Sequence, residues 1–153
     1  MRDACASAVF SRSALGEAAP SGLWVLLVDD NAEFLTSAVR LLGLLPKSEL
    51  YCVGSGEEAI AELARFNPHV VFLNDILPDM DGLKMAQKVK QGLRPPRVVI
   101  LSSSGDPKYQ SAARAAGADR IISKTQFFVE LLRCIAMLLR ENLANTVLAS
   151  VIS

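Results

Sequence analysis

The chain has 153 residues, 51% of them apolar and 21% charged, the make-up of one globular domain around a single core. Lysine plus arginine total 16 and so do aspartate plus glutamate, so no net field favours nucleic acid or an anionic membrane surface. No apolar run is long enough to span a bilayer.

Residues 1–22 are expected to form a flexible leader. Asp3, Arg12 and Glu17 interrupt them, which argues against a secretory signal. Leu23 to Val28, LWVLLV, is the continuous apolar run of a strand buried on both faces. Asp29, Asp30 and Asn31 end it, and any of them can cap the helix that follows. In that helix Phe34, Leu35, Ala38, Leu41, Leu42 and Leu45 recur at helical spacing until Gly43 and Pro46 close it. LYCV (Leu50 to Val53) is a short second strand, and EEAIAELARF a second helix with two glutamates at its start. VVFL (Val70 to Leu73) is a third strand, followed by a loop and a helix over about Leu83 to Lys90. VVIL (Val98 to Leu101) and RIIS (Arg120 to Ser123) are strands four and five, with a small helix opened by Pro107 between them. Thr125 is expected to cap a last helix from Gln126 to Arg140.

Strands alternating with helices predict a doubly wound parallel sheet with right-handed crossovers. Ligands in such sheets bind beyond the carboxyl ends of the strands. The residues leaving strands one, three, four and five are Asp29 and Asp30, Asn74, Ser102 and Lys124. Two adjacent carboxylates suit magnesium, while a hydroxyl and an ammonium suit the oxygens of a phosphoryl group. The oxygen nucleophile is missing.

VLLVDDN, NDILPDMDG, VVILS and AAGADRIISK, in that order, resemble the receiver domains of two-component response regulators over roughly Leu23 to Leu139. The resemblance implies a flavodoxin-like (βα)5 fold of strand order 2-1-3-4-5, with a receiver domain at 23–141 and a tail at 142–153. In that family the phosphoacceptor aspartate lies four residues before the loop proline and eight before the loop glycine. Both counts, from Pro78 and Gly82, fall on Asn74. Asp75 is one residue late, and side chains on a strand alternate faces, so it should aim elsewhere.

The resemblance also implies Asp29, Asp30 and the Ile76 backbone carbonyl as magnesium ligands. Ser102 would be the switch hydroxyl, Lys124 the partner of the acceptor, and Ile121 would stand at the switch-aromatic position. An amide is a poor nucleophile, and it removes one charge from the acidic cluster, so phosphorylation should fail and magnesium binding weaken. Lys124 could then donate to the Asn74 amide oxygen. The expected role is a non-enzymatic phosphorelay signalling module without an output domain. It would contact a histidine kinase or another signalling protein, and neither nucleic acid nor membrane. The scattered cysteines Cys5, Cys52 and Cys134 fit a reducing cytoplasm.

Two other readings compete. DMDG (Asp79 to Gly82) matches the D-x-D-G of haloacid-dehalogenase-type phosphatases, but five residues separate it from the preceding strand; otherwise Asp81 caps a helix and Gly82 relieves backbone strain. The last helix, with Phe128, Leu131, Leu132, Ile135, Leu138 and Leu139 on one face and Phe127, Cys134 and Met137 widening it, is either a broad core stripe or a dimer surface beside a vestigial pocket. His69 reads as structural, and Trp24 as packed against strand one.

Overall fold

The computed structural model describes residues 22–44, 48–134, 136–137 and 140. Each apolar run becomes a strand: β1 (Leu23–Val28), β2 (Ser48–Val53), β3 (Val70–Asn74), β4 (Arg97–Leu101) and β5 (Arg120–Ile122). They pair in parallel in the order β2-β1-β3-β4-β5. Helices α1 (Ala32–Gly43), α2 (Gly56–Arg65), α3 (Gly82–Lys90) and α4 (Pro107–Ala115) make the crossovers. A 3-10 turn (Lys124–Gln126) leads into α5, helical over residues 127–134.

Alternation along the strands sorts the core into two layers. Val25, Leu27, Phe72, Val99, Leu101 and Ile122 face α1 and α5, meeting Leu35, Leu42, Phe127 and Leu131. Leu26, Val28, Val71, Leu73, Val98 and Ile100 face α2, α3 and α4, meeting Ala59, Met85, Val89 and Ala113. Burial on both faces explains why these strands read as unbroken apolar runs.

Side-chain caps fix the helix starts. Asn31, not either aspartate before it, caps α1 by accepting the Phe34 N–H at 3.0 Å. Ser55 caps α2, Asp81 caps α3, and Asp106 caps α4 ahead of Pro107. β2 begins two residues earlier than its apolar run, because Ser48 and Glu49 pair with Leu23 and Trp24.

The last helix departs from expectation in two ways. Ser123 rather than Thr125 stands at its N-cap, with its N–H donated to Gln126 Oε1 at 3.0 Å in a capping box. Its phase also differs. Phe127, Glu130, Leu131 and Cys134 turn inward, whereas Val129 and Leu132 are 67% and 40% exposed. Phe127 sets that phase by packing edge-on against Phe72 and Phe34, at ring-centroid distances of 4.8 and 5.3 Å. Glu130 tolerates burial because Arg120 Nε lies 2.8 Å from its carboxylate. The side chains of Ile135, Leu138 and Leu139, the leader through Ser21, Leu45 and Pro46, and the tail from residue 141 onward lie outside the described residues.

His69 ties the lower edge of the sheet. Its Nδ1 accepts the Trp24 N–H at 2.9 Å, and its own N–H goes to the Trp24 carbonyl. Trp24 packs against Tyr51 and Phe66.

Candidate functional site at the strand tips

The alternation that sorts the core continues past the strand ends. Asp29 follows Leu27 by two residues, Asn74 follows Phe72, and Lys124 follows Ile122, so all three continue the α1/α5 face. Asp75 and Ser102 follow Leu73 and Ile100, and continue the other face. The hydrogen bonds respect this division. Lys124 Nζ lies 2.7 Å from Asp29 Oδ2 and 4.9 Å from the centre of the Phe34 ring. On the other side, Ser102 Oγ donates to Asp75 Oδ2 at 2.8 Å.

Asp29 is fully buried, and a buried carboxylate requires partners. Its Oδ1 accepts the Asn31 N–H at 2.8 Å, while Lys124, its side chain 34% exposed, neutralises Oδ2. Lys124 thus takes the carboxylate of Asp29, where the sequence suggested the Asn74 amide oxygen. Asn74 instead donates its amide Nδ2 to the Ile76 carbonyl at 2.8 Å. Asp30 is exposed at the rim.

The residues present suit a magnesium ion only in part. Asp29 Oδ1 and the Ile76 carbonyl each accept an N–H of the chain, and Asp29 Oδ2, which has no hydrogen-bond partner among the described residues, faces the Lys124 ammonium at 2.7 Å, while Asp30 is the exposed carboxylate of that set. Among the described residues no three acidic, histidine or cysteine side chains come together as a metal cluster. An ammonium and an amide NH2 supply the positive ends that a cation would.

A sequence model described as response regulator receiver domain matches residues 25–136, most of the chain. The chain belongs to the receiver-domain family. It is 32% identical over 126 residues to the probable transcriptional regulatory protein TcrX of Mycobacterium tuberculosis, covering 80% of this chain and 52% of that protein. The response regulator protein VraR of Staphylococcus aureus is 33% identical over 104 residues, covering 66% and 49%. The chain therefore spans about half the length of these relatives. Among solved structures, the signal receiver domain of the putative response regulator NarL from Mycobacterium tuberculosis superposes with a TM-score of 0.67 at 26% identity, covering 76% of this chain and 98% of that one.

In this receiver Asp75 is held at three atoms. Besides its carboxylate, its N–H donates to the Leu101 carbonyl at 3.0 Å and its carbonyl accepts the Gly82 N–H at 2.8 Å. The half-buried Tyr109 hydroxyl stands in the same field. Burial, with Asp75 and then Asp81 adding to it, pushes its pKa up to about 12. Because the folded state retains this proton longer than the unfolded one, stability is full below pH ~10 and falls as pH rises towards 12. Spectroscopic tyrosine titration is expected to show a late phenol that moves towards the ordinary value in Asp75→Asn. Ile121, also half-buried, packs into the α2–α4 side of the core near this group.

The acids of DMDG serve as helix caps. Asp79 reaches across to α2 and accepts the N–H groups of Gly56 and Glu57, each at 2.9 Å. The Gly56 bond, foremost, holds its carboxyl below the usual range, so this cap is present at neutral pH and lost as pH falls through the lowered pKa. Asp81 accepts the Lys84 N–H at 2.7 Å. Gly82 is required for space and not for backbone strain, since a Cβ there would sit 2.9 Å from the Asn74 carbonyl oxygen and 3.0 Å from Asp75 Cα. Gly82→Ala is expected to cost about 1–3 kcal/mol in urea unfolding, as overpacking against backbone does. The cross-chain cap by Asp79 and the Asp75–Ser102 pair were not anticipated. Strand alternation applied to Ser102, as it was to Asp75, would have revealed the second.

Proposed function

We propose that this chain is a receiver that relays signals through protein contacts without accepting a phosphoryl group at residue 74. What supports the reading is strand alternation: Asn74 follows Phe72, of the layer that faces α1 and α5, whereas the Asp75 carboxylate accepts from Ser102 and Asp29 pairs with Lys124. An amide at the attacking position lacks the anionic lone pair that phosphoryl transfer needs. Asp29, Asp30, the Ile76 carbonyl and Lys124 are the remaining parts of a phosphorylation pocket, while the Ser102 hydroxyl, which would serve it as the switch, is turned to Asp75 on the other face. Asp29, Asp30 and the Ile76 carbonyl would hold a magnesium ion only weakly, because Lys124 faces Asp29 and the Asn74 amide donates to Ile76. The domain occupies 23–141, is not itself an enzyme, and works in the cytoplasm opposite a histidine kinase or another signalling protein.

Incubation of the natural chain with acetyl phosphate and magnesium, followed by intact mass, tests this reading. The expected spectrum shows the unmodified chain alone; a phosphoryl adduct on Asp75 overturns it. A second reading, association of two copies through the last helix, draws on the exposure of Val129 and Leu132. A concentration-dependent sedimentation coefficient that disappears in Leu132→Glu would favour it.

A further inference from the structure

Ser102 is 7% exposed, so its single hydroxyl proton must go to an acceptor within the protein. The acceptor is Asp75 Oδ2, and the relay continues from there. Ser102 Oγ accepts the Ser104 N–H at 3.1 Å, Ser104 Oγ accepts the Asp106 N–H at 3.2 Å, and Asp106 Oδ1 accepts the Lys108 N–H at 3.0 Å to cap α4. A carboxylate on the tip of β3 thereby anchors Ser102, from which successive side-chain-to-backbone bonds step along the β4–α4 loop into the first turn of α4. Both ends of its first link are fixed by backbone bonds, Asp75 N–H to Leu101 O at 3.0 Å and Ser102 N–H to Ile122 O at 2.8 Å. The two bonds that share Ser102 Oγ polarise one another, and the carboxylate acceptor makes the first the stronger.

We propose that Asp75 is a built-in anionic latch: its carboxylate holds Ser102, and through Ser102 the β4–α4 loop, in one fixed arrangement that no phosphoryl group is needed to create. The proposal rests on the reading that this receiver signals without phosphate at residue 74. It adds what fixes the β4–α4 loop instead.

Amide hydrogen exchange of the full chain tests the latch, with Asp75→Ala cutting the relay at its source and Ser102→Ala cutting it one link later. Each variant is expected to raise exchange at the Ser104, Asp106 and Lys108 amides about tenfold relative to amides of α1, the worth of one charge-assisted hydrogen bond. The double variant should add little, because both changes break one chain. Asp75→Asn, which retains an uncharged acceptor oxygen, should fall between the natural chain and Asp75→Ala. Unchanged exchange at those amides overturns the latch, and so does a rise shared equally by α1, which would mean general destabilisation. The phosphodonor experiment reports separately: an adduct on the natural chain would sink the functional reading, whereas the latch stands or falls on exchange alone.

Discussion

Asn74→Asp is expected to gain a phosphoryl group from acetyl phosphate and magnesium where the natural chain gains none. The substitution is nearly isosteric, so the fold should accept it. A carboxylate at residue 74 would share a face with Asp29 and Lys124, and Lys124 Nζ already lies 2.7 Å from Asp29. A third carboxylate beside Asp29 and Asp30 raises mutual repulsion, and it also ends the donation of the Asn74 amide to the Ile76 carbonyl. Two consequences follow. Without divalent cations Asn74→Asp should melt below the natural chain, and magnesium should return most of the difference, since a ligand bound only by the folded state stabilises it by mass action. The natural chain should show little change in Tm with magnesium. If Asn74→Asp melts low, regains stability with magnesium and still accepts no phosphate, a fault beyond residue 74 disables the pocket.

The largest loss of stability is expected from Phe72→Ala. Phe72 is fully buried in the middle of β3, two residues before Asn74, and its ring meets Phe127 edge-on at 4.8 Å. Removing it should cost about 3–5 kcal/mol in denaturant unfolding, whereas Phe72→Leu, which keeps most of the volume, should cost less than about 1.5 kcal/mol. Val129→Ala, on the exposed side of α5, should change stability by about 0.5 kcal/mol or less. The site should register the same change. Phe127 directly follows the 3-10 turn that begins with Lys124, so a vacancy at residue 72 loosens the seat of the lysine that neutralises Asp29. A cost below about 1 kcal/mol for Phe72→Ala would show that the Phe34–Phe72–Phe127 stack does not anchor α5.

Much of this architecture was legible from residues alone. Strands buried on both faces announce themselves as apolar runs, and Pro, Gly and Asn/Asp clusters mark their ends. Strand alternation also separates Asn74 from Asp75, because it is local and every residue along a strand obeys it. What escaped depends on distance or on ambiguous phase. Asp79 caps a helix that begins 23 residues earlier in the chain, and nothing nearby in the sequence reveals that contact. The partners of Lys124 and Asn74 were misassigned because several acceptors converge at the strand tips and only geometry ranks them. In α5 the doublets Phe127–Phe128 and Leu131–Leu132 leave two phases nearly equal, and the Phe72 ring decides between them. The burial of Glu130 depends on Arg120 from a different strand, a contact that no local pattern announces.

Which of two neighbouring side chains, residue 74 or residue 75, faces Lys124 decides where a phosphoryl group can be accepted. Peptide-level mapping of the acyl phosphate formed on Asn74→Asp tests that directly, because residues 74 and 75 are then both aspartate and compete within one molecule. The prediction is modification at residue 74 alone, unchanged when Asp75→Asn is added; phosphate on residue 75 would contradict the account.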